Sequence, residues 1–212
     1  MESKNIKLVV FDLDKTLIKQ NSWYKLNLAL GITEEQDQTM LDAYNRGEFS
    51  YDDWMQKIFD LYKQHGKANL KNITDVLANC YTYREDAKEI IEYLRPKYKL
   101  AIISGSIDIL VDMVAKDLSI DLAEATNSFV FDADDQLVKI VTEEDTLAKV
   151  NHLEDFCKKL NLDISECACI GDGDNDILMF KKTGNGITFS DSKIKADARE
   201  VIENLSDLKK IL

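Results

Sequence analysis

Three short, uninterrupted apolar runs constrain this chain most. The run in Lys7 to Phe11 (KLVVF) stops at Asp12. Leu100 to Ile103 (LAII) stops at Ser104, and Cys167 to Ile170 (CACI) stops at Gly171-Asp172. Apolar runs without polar alternation read as strands buried on both faces, as in a parallel sheet. Helical patterns separate them. Arg84 to Tyr98 sets Ile90, Ile91 and Leu94 on one side, with acidic residues in its first turn. Asp145 to Leu160 places Leu147, Val150, Leu153, Phe156 and Leu160 at helical spacing. Strands alternating with helices predict an α/β fold built on a doubly wound, mainly parallel sheet.

The stretch from Ile18 to Asn79 breaks that alternation. It is polar and aromatic, and WYKLNLAL, EEQDQTMLDAYN and YDDWMQKIFDLYKQH each read as one helix. We expect a small helical cap over residues 18–79, inserted into a core made of residues 1–17 and 80–212. Asn127 to Thr142 predicts a β-hairpin turning at Asp134-Asp135. Ile194 to Leu212 reads as a strand remnant and a closing helix around Leu205 and Leu208.

Composition narrows the function. The chain has 212 residues, 45% of them hydrophobic, enough for a sizeable core. One proline and eight glycines argue against long disordered stretches. A formal charge of −12 repels nucleic acid and anionic membrane, which excludes both as partners. The opening MESKNIKLVVFDLDKT breaks its apolar run with aspartates, so it reads as neither signal peptide nor membrane span. Cys80, Cys157, Cys167 and Cys169 show no C-x-x-C spacing, and the strand cysteines read as core packing. The implied compartment is a reducing cytoplasm.

Each apolar run delivers polar residues at its carboxyl end: Asp12 and Asp14, then Ser104, then Asp172, Asn175 and Asp176. Ligands of open α/β sheets bind outside those ends, so these residues are expected to meet in one crevice. Carboxylates held together repel one another unless a cation sits among them, and hard oxygen ligands suit magnesium. A carboxylate facing an electrophile is a nucleophile. Ser104, glycine-flanked N–H groups and a lysine can hold phosphate oxygens.

These residues form a known pattern. DLDKT (Asp12 to Thr16), SG (Ser104-Gly105), Lys149 and GDGDND (Gly171 to Asp176) resemble, in order, the four motifs of the haloacid dehalogenase superfamily. GDGDNDILMFKK resembles its phosphoserine-phosphatase-like branch, which carries a helical cap. The resemblance covers nearly the whole chain. It implies a Rossmann-like, Mg2+-dependent phosphatase that hydrolyses a small-molecule phosphate monoester, acting as a monomer or homodimer. Asp12 would become an aspartyl phosphate, and Asp14 would give and take the proton. Asp12, the Asp14 carbonyl and Asp172 would hold the metal, with Asp176 behind them. Thr16 would fix the loop, and with Ser104, Gly105, Lys149 and Asn175 would serve phosphate binding.

Plainer readings stand beside these. An isolated D-x-D is often a cap or a solvated loop. Lys149 lies among Lys139, Lys158 and Lys159, any of which could be surface charge, and only its spacing ahead of Asp172 singles it out. His65 fits a helix end and His152 a helix face, while Glu143-Glu144-Asp145 opens a helix and meets its dipole.

Specificity is where the resemblance weakens. Phosphoserine phosphatases of this type carry an acid shortly after the first motif and an arginine in the cap. Here Gln20-Asn21 and Trp54 to Phe59 supply neither, though Arg46 and Lys57 are near in sequence. Phosphoserine is therefore not expected as the main substrate. Asn21, Trp23, Tyr51 and Trp54 are the candidate pocket residues. The aromatics, Tyr24 included, either pack the cap or line the pocket, in which case Trp23 or Trp54 favours an apolar or ring-bearing leaving group. Three alternatives remain: a phosphomutase or phosphotransferase, a phosphoserine phosphatase with a divergent cap, and a non-catalytic phospho-ligand regulatory module. The last is disfavoured because no motif position is lost.

Overall fold

The computed structural model describes residues 5–212, so the first four residues of the opening segment and of the expected core lie outside the described residues. The elements follow in the order β1 (Leu8–Phe11), α1 (Ser22–Leu30), α2 (Glu34–Asn45), α3 (Tyr51–His65), α4 (Leu70–Asn79), α5 (Ala87–Leu94), β2 (Lys99–Ile107) and α6 (Asp108–Asp117). Then come β3 (Leu122–Phe131), β4 (Leu137–Thr142), α7 (Asp145–Leu160), β5 (Cys167–Ile170), α8 (Ile177–Thr183), β6 (Gly186–Phe189), β7 (Glu200–Ile202) and α9 (Leu208–Ile211). The strands form one sheet in the order β4-β3-β2-β1-β5-β6-β7. Every pairing is parallel except β3 with β4. This is the expected doubly wound α/β sheet.

The apolar runs are buried on both faces, as their lack of alternation required. Val9 and Phe11 pack into the core on one side, while Leu8 and Val10 join Cys167 and Cys169 on the other. Register then fixes the crevice. Phe11 pairs with Ile102 of β2 and with Ile170 of β5, so all three strands release their polar residues at one level. The Asp12 amide donates to the Ile170 carbonyl at 2.9 Å.

Between β1 and α5 the chain builds four helices. Asn21, Thr33, Ser50 and Asn69 cap them through their side chains, satisfying amides that the first turn leaves unpaired. An antiparallel bridge between Ile18 and Tyr83 joins the chain where it enters and leaves this insert.

Several boundaries differ from expectation. β2 runs past Ser104 to Ile107, with a register shift beside β3. α5 is shorter than Arg84 to Tyr98. Its start is lost because the Arg84 amide donates to the Leu17 carbonyl and its guanidinium to the Lys15 carbonyl. Its end is lost because Pro96 has no N–H for the helical ladder. The hairpin turns as expected, with Asp135 left-handed at φ 58°, but β3 begins before Asn127, where Leu122 to Ala125 pair in parallel with β2. The cysteines are free thiols, with Cys167 and Cys169 fully buried. No helix among the described residues is long and apolar enough to cross a membrane.

Candidate active site

A cavity of about 430 Å3 opens between the carboxyl ends of the central strands and helices α1–α3. Asp12, the first residue after β1, is nearly buried in its floor. Lys149 lies on α7 and is fully buried. Its ammonium donates to Asp12 Oδ1 at 2.8 Å and to Asp176 Oδ1 at 2.8 Å. Burial alone would lower the lysine pKa, but Asp12 and Asp176 outweigh it and hold the group charged. The other lysines weighed against it, Lys139, Lys158 and Lys159, are exposed.

Asp14 is held differently. Its Oδ2 accepts from the Ser22 amide at 2.8 Å and the Ser22 hydroxyl at 2.7 Å, and that hydroxyl sits 2.6 Å from Ser106 Oγ. Its Oδ1 is enclosed without a hydrogen-bond partner among the described residues. Burial pushes the Asp14 carboxyl up to about 7, with Asp12 adding to the rise and the Ser22 bonds opposing it. Lys15 takes a left-handed φ of 55° between these aspartates and Thr16. Thr16 does not reach the cavity wall. It is fully buried, and its amide donates to the Leu13 carbonyl at 3.2 Å, closing the loop from beneath.

Asp12, Asp172 and Asp176 each bring one carboxylate oxygen within 4.8 Å of the others. Burial raises the Asp172 carboxyl to about 7, and its neighbours Asp12 and Asp176 add to this. Burial also raises Asp176, while Lys149 pulls it back. Asp176 is already tied on both sides, by Lys149 and by the Gly173 amide at 3.2 Å. One buried lysine therefore faces three clustered carboxylates, with Asp14 close by. That excess of hard, anionic oxygen fits a divalent metal ion.

Ser104, Gly105 and Asn175 also reach the wall. Asn175 donates its amide to Asp145 Oδ2 at 2.6 Å, and Thr126 Oγ1 donates to Asp145 Oδ1. A Cβ at position 105 would fall 2.4 Å from Asp145 Oδ2, so any larger residue there must displace that carboxylate. The Gly105 carbonyl accepts from Trp23 Nε1 and from Asn127 Nδ2, each at 2.9 Å. Asn21, Trp23, Tyr51 and Trp54 all line the cavity. Tyr51 donates to Asn127 Oδ1 at 3.1 Å, and Trp54 stacks on Tyr44 at 4.8 Å.

Sequence reasoning missed Asp145, Asn127, Ser22, Ser106 and Asp37, all of which bound the site or support it. Asp145 carried a signal. It precedes Lys149 by one helical turn and so shares its face. Glu144, beside it, is the residue that caps α7. The cations considered for the cap stay away: Arg46 pairs with Glu48 at 2.6 Å, and Lys57 lies over Phe49. Gln20 turns aside to Thr82. His65 ends α3 and His152 faces Glu143, and neither lines the cavity.

Residues 9–181 match the model of haloacid dehalogenase-like hydrolases. The chain belongs to this family. Among similar proteins is a phosphoserine phosphatase of Methanocaldococcus jannaschii, 29% identical over 100% of this chain and 98% of its own. Another, from Campylobacter jejuni subsp. doylei, is 28% identical over 98% of each chain. A solved phospho-aspartyl intermediate analogue of phosphoserine phosphatase superposes with a TM-score of 0.80 at 28% identity, over 99% of this chain and 100% of that one. A substrate-bound phosphoserine phosphatase complex gives the same TM-score at 27% identity, again over 99% and 100%. Asp12, Ser104, Gly105, Asp172 and Asn175, from three separate sequence segments, line one crevice here, and Lys149 bonds Asp12 from below it.

Proposed function

We propose that the chain is a Mg2+-dependent phosphoric monoester hydrolase working through an aspartyl phosphate on Asp12. The carrying observation is the arrangement of two unlike aspartates on one loop. Asp12 is clamped by Lys149, and Asp14 is held by Ser22 with its carboxyl raised to about 7. One is suited to attack as an anion, the other to hold a proton near neutrality.

An Asp12 oxygen forms a bond to phosphorus as the bond from phosphorus to the alcohol oxygen breaks. Asp14 gives its proton to the departing oxygen, then takes one from the water that attacks the acyl phosphate. Free phosphate leaves, and Asp12 is restored. Proton transfer of this kind contributes about 10²–10⁴-fold. Ser104 and the Gly105 region hold the phosphoryl oxygens, Asn175 orients them, and Lys149 acts from beneath the floor through Asp12. Asp12, the Asp14 carbonyl and Asp172 would hold Mg2+, with Asp176 fixed behind by Lys149. When bound, the ion offsets charge on the phosphoryl group and on the clustered carboxylates. The four helices within residues 18–79 act as the substrate-selecting cap on the core of 1–17 and 80–212. The free thiols suit a cytoplasmic enzyme.

The substrate differs from that named for the relatives. No lysine or arginine of the insert lines the cavity. A substrate carboxylate enclosed on that side would find no cation of the insert to pair with, and a buried group lacking its charged partner costs about 1–3 kcal/mol or more. Release of inorganic phosphate from p-nitrophenyl phosphate tests the activity. We expect turnover with Mg2+, loss with a chelator, and loss in Asp12→Asn. Turnover surviving in Asp12→Asn sinks the reading.

A further inference from the structure

Resting on this phosphatase reading, we infer that the leaving alcohol carries a positive charge and no carboxylate: the substrate is an amino-alcohol phosphate, recognised by Asp37 within an aromatic wall. Asp37 lies on α2 and lines the same cavity as Asp12. Its Oδ1 accepts from Asn27 Nδ2 at 2.6 Å. Asn27 is itself buried, and its Oδ1 accepts from the fully buried Tyr62 hydroxyl. That second bond fixes which way the Asn27 amide faces, and so which oxygen of Asp37 is occupied. Oδ2 has neither hydrogen bond nor ion pair among the described residues.

The surroundings leave this carboxylate unneutralised. Among the described residues Lys15 is the one cation on the cavity wall, and its charge acts on Asp172. Lys149 is committed to Asp12 and Asp176 beneath the floor. Trp23, Tyr24, Tyr51 and Trp54 share the wall with Asp37. Aromatic faces attract ammonium groups and offer nothing to a carboxylate. A fixed anion among rings selects a cation, from a primary amine to a quaternary ammonium, and Asp37 repels an added carboxylate.

The test compares kcat/KM for phosphoethanolamine, phosphocholine, ethyl phosphate and phosphoserine, with p-nitrophenyl phosphate as a general ester. Wild-type enzyme should prefer at least one cationic ester over ethyl phosphate and over phosphoserine by about tenfold or more. That ratio should collapse toward one in Asp37→Asn and persist in part in Asp37→Glu. A ratio taken within one variant cancels losses from altered folding. If wild type turns over p-nitrophenyl phosphate yet treats ethyl phosphate and both cationic esters alike, or prefers phosphoserine, the inference falls while the phosphatase reading stands. An unchanged ratio in Asp37→Asn also overturns it. No turnover of any ester by wild type overturns the phosphatase reading and this inference with it.

Discussion

Lys149 and Asp145 sit one turn apart on α7 and control different halves of the site. Among the described residues Lys149 is the sole ammonium beneath Asp12 and Asp176, with no solvent contact. Lys149→Met should leave two buried carboxylates uncompensated and destabilise the protein by about 3–5 kcal/mol, as one broken buried ion pair does. Chemical denaturation measures this, and a change below 1 kcal/mol refutes it. Asp145 acts through Asn175, whose amide it holds at 2.6 Å. Asp145→Ala should lower kcat by about tenfold to a hundredfold, the range for losing a charged hydrogen bond that orients a reacting group. KM should fall at the same time, because an anion leaves the wall that receives phosphate. A proportionate loss of active protein would lower kcat and leave KM alone, so the split separates positioning from misfolding. Gly105→Ala adds a further check. Its Cβ meets Asp145 Oδ2 at 2.4 Å, so the single change should be more harmful in the presence of Asp145 than beside Asp145→Ala.

At the level of elements, legibility followed burial and periodicity. β5 is bounded as CACI and α7 as Asp145 to Leu160 because their apolar spacing and caps agree. α2 and α3 also match, since Thr33 and Ser50 open them with capping boxes that can be read in the sequence. The first half of β3 was hidden. AEAT carries little apolar signal, and it is a strand because β2 lies beside it. β2 itself continues through Ser104-Gly105-Ser106, polar residues that strand patterning would assign to a loop. The motif aspartates were legible for the same reason as the strands: each ends an apolar run. Asp37 and Asn127 were not, because only packing of α2 and β3 against other elements brings Asp37 to the cavity wall and Asn127 behind it, against Tyr51 and Gly105. Packing also sets the next prediction. Trp23 Nε1 donates to the Gly105 carbonyl and ties α1 to the cavity end of β2. Trp23→Phe keeps an aromatic ring but loses the fused pyrrole with its N–H and so that bond; it should cost about 1 kcal/mol or more in stability, read by thermal melts, and raise KM more than it lowers kcat. An unchanged KM would mean that this tie does not shape the pocket.

For the whole molecule, the site stores charge that the fold alone cannot neutralise. Asp14 and Asp172 both rise from an ordinary value of 3.8 to about 7, chiefly through burial. The metal-free folded protein thus binds these protons more tightly than the unfolded chain does. Stability from them is fully present below about pH 4 and is lost as pH rises through about 7. The net charge of −12 at pH 7 acts in the same direction. A divalent ion bound among these carboxylates would replace those protons as counter-charge, so its contribution would grow over the same range. The rise in melting temperature on adding Mg2+ to chelator-treated protein should therefore be larger at pH 8 than at pH 5. Asp172→Asn should melt higher than wild type without metal at pH 8, because one repelling carboxylate is gone, and should lose most of the Mg2+ response. Equal Mg2+ shifts at the two pH values would mean that these carboxylates are not what the ion offsets. The stability that this fold gives up at neutral pH is then the same electrostatic excess that would draw in a divalent cation, and on the proposed reading it is that cation which would hold an anionic phosphate ester beside Asp12.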